Sequence, residues 1–233
     1  MFIYYIIHYI IALNFTTALK KQHYIKELIS QGEGLHLDFK FEISDVPKIA
    51  RSLVAFANTD GGKLLIGVND EGVIKGIQSA EEFHMIENAA NNYCRPKVNF
   101  TSKEWSFKGK KVLEVDIPFS MEYPHKAPDH SGKYKAYIRF EDQNLLADSI
   151  LIKLWDKERN QNDIQLIYTE ELRNILLYIE QNEPVKVDDI MSAFHLSKFN
   201  TEHLLTDLVI FDVLKMDTSG SNILFYLTDL NEM

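Results

Sequence analysis

The sequence predicts an α/β domain followed by a smaller module of three helices and a β-hairpin, and three patterns carry that prediction. Leu35, Leu37 and Phe39 alternate with His36, Asp38 and Lys40, the period of two expected of a strand with one buried face. Val46, Ile49, Ala50, Leu53, Val54 and Ala57 then recur at the helical period, and Gly61-Gly62 leads into the unbroken apolar run Leu64-Leu65-Ile66-Gly67-Val68, a strand covered on both faces. Beyond residue 166 the helical period returns three times and ends in two short apolar runs separated by Thr218-Ser219-Gly220-Ser221-Asn222, a hairpin signal.

The elements follow in order. Residues 2–13 are apolar but far short of the ~20 residues that a membrane span needs. No basic residue precedes them, as one would in a signal peptide. Residues 1–19 are therefore expected to be an extension outside the fold, with no membrane role. A short helix is expected over 24–30, broken by Gly32 and Gly34. Ser44 is the expected N-cap of the next helix, with Pro47 tolerated in its first turn. Asn69-Asp70-Glu71-Gly72 forms a turn into a short strand at 73–75. Phe83, Ile86, Ala90 and Tyr93 mark a helix over 80–94, and strands follow at 98–107, 111–117 and 134–140. A helix over 147–158 is expected to close the first domain (20–160), with the charged stretch 156–165 as linker. In the second domain (166–233), Leu172, Ile175, Leu176 and Ile179 mark one helix, Val187, Ile190, Met191 and Phe194 a second, and 199–211 a third, before strands at 213–216 and 223–227. That order is winged-helix architecture, with the third helix in the recognition position.

Composition narrows the function. The single cysteine, Cys94, excludes a disulfide framework within the chain and fits a reducing, cytoplasmic setting, with Cys94 as a small core residue. The net charge of −9 opposes indiscriminate binding to a polyanion. From Thr169 onward, however, four basic residues face twelve acidic ones, so nearly all the excess charge sits in the second module. That module is expected to meet protein or to pair with itself as a homodimer.

Three constellations could carry chemistry. Asp38 and Lys40 share a strand face, Glu33 stands just before them, and Asp70 lies past the end of another strand, where ligand sites of α/β folds form. Such carboxylates could hold Mg²⁺ or Mn²⁺ and activate water against a phosphodiester; the alternative is that they are solvated polar positions. Asn58, Thr59, Gly61 and Gly62 could bind an anion through backbone N–H groups, or could simply stop a helix. They do not form a Walker A loop, since Lys63 is followed by Leu64. Finally, Arg95, Lys97, Lys103, Lys108, Lys110 and Lys111 face only Glu104, with Trp105 and Phe107 interleaved and Lys126, Lys133, Lys135 and Arg139 soon after. Cations interleaved with aromatics suit single-stranded nucleic acid; the alternative is an edge hairpin guarded by lysines. The histidines His84, His125, His130, His195 and His203 show no metal-ligand spacing.

Three of these blocks together resemble the AlbA-like domain of the Schlafen group. Glu33-Gly34-Leu35-His36-Leu37-Asp38-Phe39-Lys40, Ala55-Phe56-Ala57-Asn58-Thr59-Asp60-Gly61-Gly62 and Ile66-Gly67-Val68-Asn69-Asp70-Glu71-Gly72 stand where that family has E-x4-E-F-K, A-F-A-N-T-x-G-G and I-G-V-x-D-x-G. The resemblance implies an α/β domain with a mixed sheet that binds DNA or RNA, in regulator-like proteins whose bacterial members often carry a C-terminal winged helix. Some members are described as ATP-binding. Others, in vertebrates, are Mg²⁺- or Mn²⁺-dependent endoribonucleases using two glutamates and an aspartate, which fall here on Glu33, Asp38 and Asp70, with Lys40 in support. Asp38 departs from that pattern by one methylene. The active nucleases pair two such units in one chain, so a single unit would have to dimerise.

Overall fold

The N-terminal unit owes its layers to one helix with almost no polar face. The computed structural model describes residues 23–79, 81–159, 166–218, 220 and 222–228. The extension expected over 1–19 and the linker residues 160–165 lie outside the described residues. The chain divides between Leu146 and Ala147 into two units.

In the first unit, residues 23–30 are helical (α1) and lead into β1 (Leu37–Lys40), α2 (Val46–Asn58) and β2 (Gly62–Ile66). Then come α3 (Glu81–Asn88), continued by a π-helical turn (Ala89–Tyr93), and strands β3 (Thr101–Phe107), β4 (Lys110–Ile117), β5 (Lys126–Pro128), β6 (Tyr134–Phe140) and β7 (Gln143–Leu146). β1 runs parallel to β2, and β4 pairs antiparallel with both β2 and β3, giving a mixed sheet of order β1-β2-β4-β3. A second sheet, β5-β6-β7, is antiparallel.

Alternation along the mixed sheet separates its two faces. Leu37, Phe39, Leu65, Val68 and Val112 pack with Leu28 of α1. Leu64, Ile66, Leu113, Val115 and Ile117 face α2 instead. α2 also carries the second sheet, which is why Ser52-Leu53-Val54-Ala55-Phe56-Ala57 is buried on every side. Removing each large apolar side chain here from water contributes about 1.5–3 kcal/mol. Cys94 lies in this core, where burial pushes its thiol up to about 12.

Several expectations need correction. Asp45, not Ser44, caps α2, its carboxylate accepting from the Lys48 N–H at 3.0 Å. The strand expected at 73–75 is a single bridge between Val68 and Ile74. β5 and β7 are additions, too short to show a period in the sequence.

The second unit starts earlier than residue 166. α4 (Ser149–Arg159), expected to close the first domain, packs on α7 (Lys198–Ile210), and its Ile150 belongs to the second core. α5 (Glu170–Asn182), α6 (Val187–Phe194) and the antiparallel pair β8 (Leu214–Asp217) and β9 (Leu224–Leu227) complete the unit. Between α5 and α6, Val185 exchanges two backbone hydrogen bonds with Phe225 of β9. The three helices and hairpin follow the order read from the sequence. α4 comes in addition to them and covers α7: Ser149 Oγ donates to Glu202 at 2.6 Å, Lys153 pairs with the same carboxylate, and Lys157 Nζ reaches the His203 carbonyl, Thr206 Oγ1 and Asp207 Oδ1 (2.7 Å).

Candidate functional site

The period-2 reading places Asp38 and Lys40 on one face, and the register agrees: they lie beside Leu64 and Ile66, toward α2. That face is not solvated at Asp38, which is only 3% exposed. Arg139 of β6, equally buried, reaches down to it. Its Nη2 lies 3.4 Å from Asp38 Oδ1 and donates to the Leu37 carbonyl at 3.3 Å, Nε donates to the Gly34 carbonyl, and Nη1 to Asn144 Oδ1. Asn144 in turn donates to Ser52 of α2. Lys40 Nζ stands 2.7 Å from Asp38 Oδ2; that contact is ionic, as no donor is aligned on this oxygen as a hydrogen bond. Glu33 Oε1 accepts from the Phe39 N–H at 2.7 Å, and burial, followed by the neighbouring Asp38 carboxylate, raises its pKa above the ordinary glutamate range.

These residues do not fit a divalent cation. Both oxygens of Asp38 face the protein's own cations, and Asp70 stays exposed on the turn after β2. Among the described residues no three His, Cys, Asp or Glu side chains gather to hold a metal. The trio Glu33, Asp38 and Asp70 is thus corrected to a pair, Glu33 held by the Phe39 N–H and Asp38 ion-paired with Lys40 and Arg139. Arg139, expected among the nucleic-acid contacts, is instead an interior residue joining the two sheets.

The glycine-rich turn is likewise structural. The Thr59 and Gly61 N–H groups both donate to the Phe56 carbonyl, so neither is left for an anion. Gly61 has φ +71°, and a Cβ there would stand 2.8 Å from the Ile117 carbonyl oxygen; one on Gly62 would stand 2.4 Å from the Phe56 ring. Asn58 is buried, donating to the carbonyls of His125 and Tyr137 and accepting from the His125 N–H. Thr59 Oγ1 accepts from the Arg139 N–H. The block therefore clamps the second sheet to α2.

The other basic residues are exposed and fall in two groups. Lys103, Lys108, Lys110 and Lys111 lie on the β3–β4 hairpin, where Lys111 pairs with Glu104 at 2.9 Å. Arg95 bridges to Lys126 of β5 through the backbone, and its guanidinium lies 3.9 Å from the centre of the Tyr134 ring on β6, near Lys133 and Lys135; Lys97 follows Arg95. Among the described residues, no side-chain cation of Arg95, Lys97, Lys103, Lys108, Lys110, Lys133 or Lys135 has a carboxylate oxygen within 4 Å, whereas that of Lys111 has one; the backbone N–H of Lys133 donates to Asp129 Oδ1 at 3.0 Å.

One cluster has almost no signature in the sequence. Glu114 of β4, buried, accepts from Trp105 Nε1 (2.6 Å) and the Tyr24 hydroxyl (2.8 Å) and pairs with Lys63 (2.9 Å). Burial opposes its charge, but Lys63, Tyr24 and Trp105 outweigh it and hold its pKa below the usual range. Tyr24 is pushed to about 12, by burial first and then by Glu114. A lone acid within Val112-Leu113-Glu114-Val115 is the only hint.

The family profile described as Schlafen, AlbA_2 matches residues 33–148, the span of the two sheets and α2. This segment is a Schlafen AlbA_2 domain. Its end at 148 agrees with the division of the chain after Leu146 rather than at 160. Among solved structures, the chain is similar to the DIP2311 protein from Corynebacterium diphtheriae at 20% identity and TM-score 0.42, over 83% of this chain and 34% of that one. It is also similar to the N-terminal domain of a protein from Nitrosomonas europaea named as related to the ATP-dependent DNA helicase RecG, at 20% identity and TM-score 0.36, over 64% of this chain and 95% of that one. The chain thus spans about a third of the DIP2311 protein's length. Among the described residues no helix is long and apolar enough to cross a membrane.

Proposed function

We propose that the AlbA_2 domain binds nucleic acid through its exposed cations and does not cut it. The observation that supports this reading is the set of outward lysines and Arg95 whose side-chain cations, Lys111 apart, form no ion pair among the described residues, in a chain whose net charge is negative. Phosphate binding by such residues is the sequence-independent part of nucleic-acid affinity. The absence of cutting follows from the state of Asp38, whose charge is answered within the protein. The C-terminal unit, winged-helix-like in its order of elements, does not read bases in this proposal. The face of α7 bearing Glu202, Thr206 and Asp207 lies under α4, whose lysines pair with both of its acids, and from Thr169 onward four basic residues stand against twelve acidic ones. Contact with protein, including a second copy, is the role left to it.

Two charge reversals test the assignment in the full chain, by fluorescence anisotropy over a salt series. Lys108, Lys110 and Lys111 changed together to Glu remove the hairpin group, and Arg95, Lys133 and Lys135 changed to Glu remove the other. At least one variant is expected to bind about tenfold or more weakly, with the slope of log affinity against log salt reduced by about 0.9 for each duplex phosphate that the variant no longer neutralises. Unchanged affinity in both would overturn the proposal.

A further inference from the structure

We infer that the ligand of this surface is a duplex, held by its phosphates, rather than a single strand held by stacked bases. The inference rests on the proposed nucleic-acid role and adds the class of ligand. Single-strand binding by a basic groove needs free aromatic faces on which successive bases stack. The cationic strands contain three aromatic rings with cations over them. Trp105 is only 7% exposed, stacks on Tyr24 with ring centres 4.7 Å apart, and has the Lys103 ammonium 4.1 Å from its centre. Phe107 is half-buried, with the Lys26 and Lys108 ammonium groups 5.5 and 5.7 Å from its centre. Tyr134 lies under the Arg95 guanidinium at 3.9 Å.

A base that stacks on the cation-bearing face of any of these rings must displace a cation that the ring attracts, and at Trp105 the other face is already stacked on Tyr24. The same arrangement favours the other mode. Seated on rings, Arg95, Lys103 and Lys108 keep their charge at the surface in a restricted set of positions, which suits a ligand whose phosphates are regularly spaced. Within the N-terminal unit, the well-exposed aromatic residues Phe41 and Phe119 stand outside the cationic strands, after β1 and after β4.

The test uses the full chain with Trp155→Phe, which leaves Trp105 as the single tryptophan. A labelled single strand and the duplex formed with its complement are titrated at one salt concentration, and Trp105 emission is followed alongside anisotropy. The duplex is expected to bind at least about tenfold more tightly, with Trp105 emission unchanged by either ligand. A single strand that binds as tightly as the duplex, or that quenches Trp105, overturns the inference while leaving the nucleic-acid role intact. Binding of neither overturns both. Duplex binding that survives both charge reversals keeps the ligand class but removes it from this surface, and so overturns the inference as well.

Discussion

Arg139→Met is expected to destabilise the N-terminal unit by about 3–5 kcal/mol, the usual cost of removing one partner of a buried ion pair. Methionine can follow the arginine stem, so the loss is mainly one of charge and hydrogen bonds. Asp38 would keep only Lys40, while the carbonyls of Gly34 and Leu37 would lose their side-chain donor. The measurement is urea unfolding followed by Trp105 fluorescence in the Trp155→Phe background. Asp38→Asn combined with Arg139→Met should be less destabilising than the sum of the two single changes, because the double variant leaves no unpaired buried carboxylate. A loss for Arg139→Met below about 1 kcal/mol, the scale of an exposed ion pair, would mean that Arg139 is not the tie between the sheets.

Asn58→Ala is expected to cost about as much, by a different route. The substitution strands two carbonyls, those of His125 and Tyr137, and the His125 N–H, all inside the protein. Each buried group left without a partner costs about 1–3 kcal/mol, and the total is at least about 3 kcal/mol unless water enters. The same Trp105 unfolding measurement applies. His125 holds a second set of bonds through its ring, to the Pro96 carbonyl at 2.9 Å and Ser120 Oγ at 2.7 Å. The loop before β5 is therefore expected to loosen with the sheet, which faster amide exchange at residues 120–128 would show. Wild-type stability in this variant would leave the Asn58 clamp without energetic consequence.

The parts of the fold that are legible in the sequence are those whose signal is local. α2 is plain because its core positions recur every turn, and its stop because two glycines precede an apolar run. The shared face of Asp38 and Lys40 follows from alternation alone. The burial of that face does not: its partner, Arg139, lies 101 residues away and sits in a stretch that reads as phosphate-binding. The Asn-Thr-x-Gly-Gly turn is open to both an anion-binding and a structural reading. What decides it is the direction of two N–H groups and the approach of the Phe56 ring, neither of which leaves a trace in composition. α4 is a helix, as its sequence predicts, yet it joins the other core. Its apolar face suits either, and the polar contacts of Lys153 and Lys157 with α7 are nonlocal. β5 and β7 are three and four residues long, too short for a period to register.

The same distinction bears on function, because a carboxylate in sequence can be a ligand or half of an ion pair. One assay separates the two most directly. The full chain is incubated with labelled transfer RNA and with duplex DNA, with and without Mn²⁺, and each sample is run on a native and on a denaturing gel. Retarded but intact strands in every lane are the predicted result. Mn²⁺-dependent cutting that disappears in both Asp38→Asn and Asp70→Asn would contradict it, and would return Asp38 from the interior ion pair to the chemistry of a nuclease.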